Sequence, residues 1–162
     1  MPFAINAADH KPGSIFSMSF LSVPSLLLAP NTLLAKQWQT SFDRGNMINP
    51  AIGLVSVITY GFLSYRLYGG LNHPKAEMYA LSSILVLGMV PWTQLVMRST
   101  NVALVRKYDE MNDSGVEEKA TEIGLAERES TKELVDTWGT LNIAGALFPL
   151  AGAVLGTWTT LS

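Results

Sequence analysis

The chain alternates long apolar stretches with shorter polar segments, and four of the apolar stretches contain no Asp, Glu, Lys or Arg. Each stretch reaches the roughly 20 residues that a helix needs to cross a bilayer core of about 30 Å. A buried helix of a soluble protein would explain one such stretch, but not four in a chain of 162 residues. The pattern therefore predicts an all-α protein, a four-helix transmembrane bundle that forms a single integral-membrane domain over 1–162, with spans at about 12–34, 49–68, 77–97 and 138–161.

Prolines and glycines indicate where these helices begin, bend and pack. Asn49 followed by Pro50 is typical of a helix start, so we expect the second helix to begin there. The other three spans contain an internal proline, which removes a backbone hydrogen bond and bends the helix, at Pro24, Pro91 and Pro149. Gly152 and Gly156 are spaced as in the GxxxG motif, which would let another helix approach the fourth span closely. The motif also arises by chance in apolar helices, so both readings stay open.

The charged residues concentrate between the third and fourth spans. The segment 116–138 has many charges and sparse apolar positions, which is typical of an extramembrane surface helix, and Gly124 is a point where it could break. Eight of the eleven Lys and Arg residues fall on the side that receives the first and third loops, namely Lys36, Arg44, Arg98, Arg106, Lys107, Lys119, Arg128 and Lys132. By the positive-inside rule this side is cytoplasmic, so both termini are predicted to be non-cytoplasmic.

Composition excludes several classes of function. Charged residues make up 15% of the chain, against about 25% in an ordinary soluble domain, and the net charge of −2 offers no basic face for nucleic acid. The absence of cysteine excludes disulfides, thiolate catalysis and cysteine-ligated metals. Only two histidines are present, and no HExxH, Glu-x-x-His pair, GxGxxG or P-loop occurs. We therefore predict a lipid bilayer as the surroundings, no metal site, and no ion pump, since no charge lies mid-span.

A cluster of polar and aromatic residues is predicted at the cytoplasmic side of the bundle. It joins the first loop, the end of the third span and the start of the fourth, with Trp38, Asp43, Arg44, Asn49, Thr93, Gln94, Arg98, Asn101, Trp138 and Asn142. Taken singly, these residues are typical of interfacial anchors and helix caps. Asn142, however, lies one turn inside the fourth span, where lipid offers its amide no partner. Either a pocket between helices or a structural hydrogen-bond network would satisfy it.

In the stretch LVMRSTNVALV, residues 95–105, polar residues at the end of the third span also need hydrogen-bond partners. Arg98 can extend to the headgroups, and Ser99 and Thr100 can bond back to their own helix. The short Asn101 amide can do neither, and the apolar residues after it indicate that the helix continues against protein. We therefore predict that Asn101 points into the bundle, within reach of Asn142 or Trp38.

Three segments carry a resemblance to a known family: LAKQWQTSFDRGNMINP, WTQLVMRSTNVALV and LVDTWGTLNIAGALFPLAGAVLG. They are similar to the family of small four-span membrane proteins that includes the fungal anthrone oxygenases, and the similarity runs from about Gly13 to the C-terminus. Its most specific parts are Asn101 after the third span and Trp138 with Asn142 in the fourth. The chain departs from the family pattern at Gly145, where relatives often carry Arg, and in its short polar region before Gly13.

The resemblance implies that O2 oxidises an anthrone to an anthraquinone in polyketide biosynthesis, with no metal or flavin cofactor. The implied partner is a hydrophobic aromatic small-molecule substrate, with O2 as co-substrate. The roles that the resemblance implies are a base at Asp43, unless it pairs with Arg44, and oxyanion donors at Asn101 and Asn142. The substrate would be bound by Trp38, Arg44, Thr93, Arg98 and Trp138, with the two tryptophans stacking on its rings.

Two other functions compete with an oxygenase. A non-catalytic membrane scaffold or small-lipophile-binding protein would use the same polar cluster as structure. A transporter ranks third, because no charged residue lies mid-span. Pathway enzymes or a second copy of the chain are the protein partners left open.

Overall fold

A computed structural model describes the backbone of residues 18–70, 73–113 and 125–162, and the side chains of 19–30, 33–70, 73–112 and 131–162. Within these ranges the chain is helical and contains no strand. A π-helical turn, Met18–Ser22, is followed by α1 (Val23–Leu26), α2 (Asn31–Tyr68), α3 (His73–Leu87), α4 (Met89–Leu95), α5 (Arg98–Asp113) and α6 (Leu125–Leu161). Of the described residues, three stretches are long and apolar enough to cross a membrane: Leu33–Tyr68, His73–Leu95 and Thr131–Leu161. The prediction of an all-α bundle of the membrane type is confirmed.

The first predicted span, 12–34, does not form one helix in its described part. The π-helical turn and α1 end at Leu26, and α2 begins only at Asn31. Pro30 has an extended backbone, with ψ of 151°, and proline also disfavours helical geometry in the residue before it. The expected helix is therefore interrupted before position 34. Residues up to Ser17 lie outside the described part of the chain, so the four-span count stays a prediction.

The predicted first loop is instead part of α2, which runs for 38 residues. The prediction that the second helix begins at Asn49 was wrong, because Pro50 lies inside the helix rather than at its start. Polar residues between 35 and 48 suggested a loop. However, Leu34, Trp38 and Phe42 repeat every four residues, which places them on one buried face of a helix. Burial of Leu34 and Trp38, both 0% exposed, extends the helix through this polar segment.

The third predicted span, 77–97, corresponds to α3 and α4, which are separated at Gly88. A Cβ atom at Gly88 would lie 2.9 Å from Phe148 Cδ1, so the backbone passes directly against that ring. Pro91 lies in the first turn of α4, where its missing N–H removes no helical bond. A turn at Val96 and Met97 leads into α5, so the chain remains helical beyond Arg98–Asn101 as predicted.

Helix α6 contains the predicted fourth span, 138–161, and begins 13 residues earlier, at Leu125. The predicted break at Gly124 lies outside the described residues. Gly152 lies against α3, where an added Cβ would be 2.9 Å from the Ser82 carbonyl oxygen. At Gly156 an added Cβ would overlap the ring of Tyr60 on α2. The GxxxG motif therefore packs this helix against two neighbours within the chain.

Two buried clusters stabilise opposite ends of the bundle. One cluster joins Tyr60, Tyr79, Val86 and Ala153, and the Tyr79 hydroxyl lies 3.0 Å from the Thr160 hydroxyl. The other is larger and contains Val23, Leu34, Trp38, Met97, Leu104, Val135 and Trp138. The outward faces of the long helices remain strongly apolar, with exposed Leu54, Ile58, Phe62, Leu81, Ile84, Val154 and Trp158. Exposed apolar surface of this extent is typical of contact with lipid.

Candidate functional site: a neutral cavity between four helices

A cavity of about 330 Å³ lies where α2, α4, α5 and α6 meet. Small-molecule sites usually have volumes of about 300–1,000 Å³, so this cavity is at the small end of that range. It is lined by Ser41, Phe42, Gly45, Asn46, Asn49, Pro50, Met89, Val90, Thr93, Gln94, Met97, Asn101, Trp138 and Asn142. None of these side chains is ionisable, so the cavity combines apolar walls with neutral amides, hydroxyls and one indole N–H.

Helix α2 presents one face to this cavity. Phe42, Gly45, Asn46 and Asn49 are separated by three, four and seven residues, the spacing that places side chains on the same side of a helix. Sequence reasoning missed Phe42 and Asn46 because it treated this segment as a loop. Had it been treated as a helix, the same spacing would have identified them.

Asp43 lies on α2 but outside the cavity. Asp43 follows Phe42 on α2 but is not among the residues that line the cavity. Its carboxylate is exposed and accepts a hydrogen bond of 2.9 Å from Gln39 Nε2. Its implied role as a base therefore stays a prediction without a contact in the cavity wall to support it.

The two predicted arginines also lie outside the lining. Arg44 points away from the cavity face of α2, and Arg98 is exposed at the start of α5. Neither contributes an atom to the cavity wall. Their implied roles in substrate binding remain predictions without a contact to support them.

Asn101, Trp138 and Asn142 are brought together at the buried side of the cavity. Trp138 and Asn142 lie one turn apart on α6 and are only 4% and 8% exposed. Asn101 reaches the same cavity from α5 and is half-buried. The prediction that Asn101 points into the bundle is confirmed.

Two of the lining residues each carry a buried polar atom without a partner among the described residues. They are Asn101, through its carbonyl oxygen Oδ1, and Trp138, through its indole Nε1. Each unpaired buried group costs about 1–3 kcal/mol. The cavity wall therefore includes an acceptor and a donor whose hydrogen-bonding capacity the described residues do not use. By contrast, the Thr93 hydroxyl already donates to the Met89 carbonyl at 2.9 Å.

Trp38 supports the cavity from behind rather than lining it. Its ring is 0% exposed and stacks on Phe42, with centroids 4.9 Å apart and planes at 18°. It also meets Trp138 edge to face, with a centroid distance of 5.8 Å and an angle of 85°. Trp38 therefore fixes the orientation of two lining rings. This packing favours a supporting role for Trp38 over direct stacking on a substrate.

Gly145, where the chain departs from the family pattern, shapes the α4 wall. An added Cβ there would lie 2.8 Å from Trp92 Cδ1 and 3.0 Å from the sulfur of Met89. The indole of Trp92 is held in place by a 3.1 Å hydrogen bond from Nε1 to the Leu141 carbonyl oxygen. Because Gly145 has no side chain, the Trp92 ring can lie directly against α6 at this position, and Met89 can line the cavity.

No metal site accompanies the cavity in the described part of the chain. Within those residues, no group of three His, Cys, Asp or Glu side chains is placed to hold a metal ion. The side chains that line the cavity therefore offer hydrogen bonding by neutral groups and ring contacts.

The fold and the cavity define a helical protein with membrane-type helices and an internal cavity lined by apolar and neutral polar side chains. Residues 38–155 match the sequence model of a family described as anthrone oxygenase. A noranthrone monooxygenase of Aspergillus flavus is 32% identical over 155 residues, which cover 94% of this chain and 69% of the relative. No solved structure is significantly similar.

Two further relatives also have oxygenase names. A monooxygenase of Dothistroma septosporum is 32% identical, over 91% of this chain and 75% of the relative. An anthrone oxygenase of Aspergillus novofumigatus is 28% identical, over 94% of this chain and 88% of the relative. The chain therefore belongs to the anthrone oxygenase family and is an oxygenase-type oxidoreductase.

The variants Trp138→Phe and Trp38→Phe form a matched test of the unpaired indole. Both remove a buried N–H without a partner and a similar ring volume, so their thermal unfolding should change alike. Only Trp138 lines the cavity. Binding of a planar aromatic ketone, followed by fluorescence titration, should weaken by about 1 kcal/mol in Trp138→Phe alone, the value of one hydrogen bond. Equal weakening in both variants would show that the Trp138 N–H does not meet the ligand.

Proposed function

We propose that the protein is a membrane-bound, cofactor-independent oxygenase that oxidises an anthrone or a related aromatic polyketide with O2 to a quinone in secondary-metabolite biosynthesis. The observation that carries this proposal is the largely apolar cavity whose lining includes the neutral polar residues Asn101, Trp138 and Asn142. The names of the relatives, noranthrone monooxygenase and anthrone oxygenase, support the substrate class.

The reaction can proceed without a resident cofactor, because the substrate itself supplies the electrons. Loss of the proton opposite the ketone gives a carbanion that is delocalised onto the ketone oxygen as a phenolate-like anion. This anion transfers one electron to O2, and the two radicals combine to form a hydroperoxide at that carbon. Loss of water then gives the second carbonyl, so that one anthrone and one O2 yield one anthraquinone and one water.

The residues at the cavity suit this chemistry through hydrogen bonding rather than through charge. The Trp138 N–H and the Asn142 amide would donate to the oxygen on which negative charge develops. The Asn101 carbonyl would accept from a hydroxyl group on the rings and hold their orientation. Phe42 and Met97 provide apolar walls that can contact the rings of the substrate.

The proton of the substrate is then expected to leave to water rather than to a carboxylate. No ionisable side chain lines the cavity, and the Asp43 carboxylate is exposed and hydrogen-bonded to Gln39. Neutral donors that stabilise the anion make the substrate more acidic, which lowers the barrier to proton loss without a base. The proposal therefore replaces a base at Asp43 with stabilisation of the anion by Trp138 and Asn142.

Oxygen uptake tests the activity directly. The purified protein, in liposomes and with a metal chelator present, should consume one O2 per anthrone and faster than anthrone autoxidation. Asn142→Leu should insert normally and lose this acceleration. A protein that binds anthrone but leaves the autoxidation rate unchanged would instead be a non-catalytic lipophile-binding protein, and a chelator-sensitive rate would contradict cofactor independence.

Asp43→Asn in the same assay shows whether the Asp43 carboxylate or water accepts the proton of the substrate. The variant removes the charge and retains the shape of the side chain, so kcat should stay within about a factor of three of the parent. A general base contributes about 10²–10⁴-fold to the rate. A loss of that size would restore Asp43 as the base and contradict proton transfer to water.

We also propose four membrane spans with both termini on the non-cytoplasmic side. Lys36 and Arg44 near the start of α2, together with Arg98, Arg106 and Lys107 on α5, support this orientation. Since the chain has no cysteine, a single cysteine introduced at Asn112 can be labelled selectively. It should react with an impermeant maleimide from the cytoplasmic side. Labelling from the other side alone would invert the topology.

A further inference from the structure

We infer that the cavity opens sideways between α2 and α4, so that a planar fused-ring ligand enters it from the hydrocarbon of the bilayer rather than from water. This inference rests on the proposed membrane-bound function. It adds a route of entry to the site and names the residues on either side of the opening, none of which the proposed chemistry uses.

The four walls of the cavity approach one another to different extents. Helix α6 packs against α2, α4 and α5, and α5 also packs against both α2 and α4. Helices α2 and α4 approach each other least of these pairs, although both line the cavity. The gap between them is therefore the place to look for an opening.

Exposure of the lining residues follows this gap. Asn46 and Pro50 on α2 line the cavity and are exposed, and so are Val90 and Gln94 on α4. Val90 is 58% exposed, whereas Trp138 at the opposite wall is 4% exposed. A side chain that both lines a cavity and is exposed lies at its opening, so these four residues form the mouth of the cavity.

The mouth lies at membrane depth if the candidate spans are inserted. Helices α2 and α3 pack along their lengths and are joined within four residues, so they run in opposite directions. Pro50 lies 18 residues before the end of α2, and Val90 lies 17 residues after the start of α3, which places them at about the same level. Both residues also fall inside the candidate spans Leu33–Tyr68 and His73–Leu95.

Basic residues define the edge of the membrane next to this mouth. Arg44 lies two residues before Asn46 on α2, and Arg98 lies four residues after Gln94 in the chain. Both arginines are exposed, as side chains that extend toward lipid headgroups would be. The mouth therefore has an amide-lined edge near the headgroups, formed by Asn46 and Gln94, and an apolar edge deeper in the hydrocarbon, formed by Pro50 and Val90.

A competing route would lead through a second hollow, of about 610 Å³, on the other side of α2. It is lined by polar residues that include Ser22, Ser25, Lys36 and Thr40, and it shares Ser41 with the cavity. Such a polar surface suits water and would favour entry of a soluble ligand. The two routes therefore predict opposite effects of blocking side chains.

A labelling experiment distinguishes the routes without requiring catalysis. Because the chain has no cysteine, Thr93→Cys would place a single thiol in the cavity wall, and a pyrene maleimide dissolved in the liposome membrane would serve as the fused-ring probe. Adding Val90→Trp should slow labelling by about tenfold or more, a rise of roughly 1.4 kcal/mol in the barrier. Val90 is largely exposed, so the larger side chain should not disturb the core.

Two matched variants serve as controls. Leu95→Trp adds the same bulk to α4 at a residue that is 81% exposed and does not line the cavity. Thr40→Trp adds it to the polar hollow. Neither should change the labelling rate. If Thr40→Trp slows labelling, or if Val90→Trp does not, entry from the membrane is overturned.

The outcomes also separate this inference from the proposed activity. Labelling that depends on position 90 in a protein without anthrone-dependent oxygen uptake would retain the mouth and reject the oxygenase. Oxygen uptake that is insensitive to Val90→Trp would retain the oxygenase and reject the mouth.

Discussion

The close approach of other helices to the backbone of α6 is the constraint on which the rest of the structure depends. Four glycines of this helix each contact a different element: Gly139 meets Val23 of α1, Gly145 meets Trp92 of α4, Gly152 meets the Ser82 carbonyl of α3, and Gly156 meets Tyr60 of α2. An added Cβ at any of them would lie too close to its neighbour. Helix α6 therefore acts as an axis whose bare backbone sets the distances of the helices around it.

The same contacts position the site. With Trp92 held across Gly145 by its bond to the Leu141 carbonyl, α4 is fixed to α6 while remaining apart from α2. Trp138 and Asn142 lie on α6 itself, and Trp38 packs against the Trp138 ring. The cavity is thus the space left between helices whose separation is set elsewhere. Two of its lining residues, Asn101 and Trp138, also bury a polar atom without a partner among the described residues, which costs stability.

Much of the architecture could be predicted from the sequence, because charge-free runs indicate where membrane-type helices lie. The places of Asn101 and Asn142 at the cavity could also be predicted, since a short amide inside an apolar helix requires a partner wherever it lies. The segment 35–48 could not be assigned from polarity alone. Burial of Trp38 against Phe42 and Trp138 stabilises a helix there, and this long-range packing outweighs the polar composition. A loop also leaves open which side chains face the cavity, whereas the helix brings Phe42 and Asn46 to its lining and leaves Asp43 and Arg44 outside it.

The α4 wall and the gap beside it depend on contacts that no local pattern reveals. Met89 and Val90 line the cavity only because Gly145 and Gly88 allow the helices to approach. The central claim, that this neutral cavity holds a planar aromatic ketone, is tested most directly by an experimental structure with a brominated anthraquinone. The account predicts bromine between α2, α4, α5 and α6, and a ketone oxygen within hydrogen-bond distance of Trp138 Nε1. Bromine in the hollow beside Lys36, or on the outer face of the helices with the cavity empty, would contradict it.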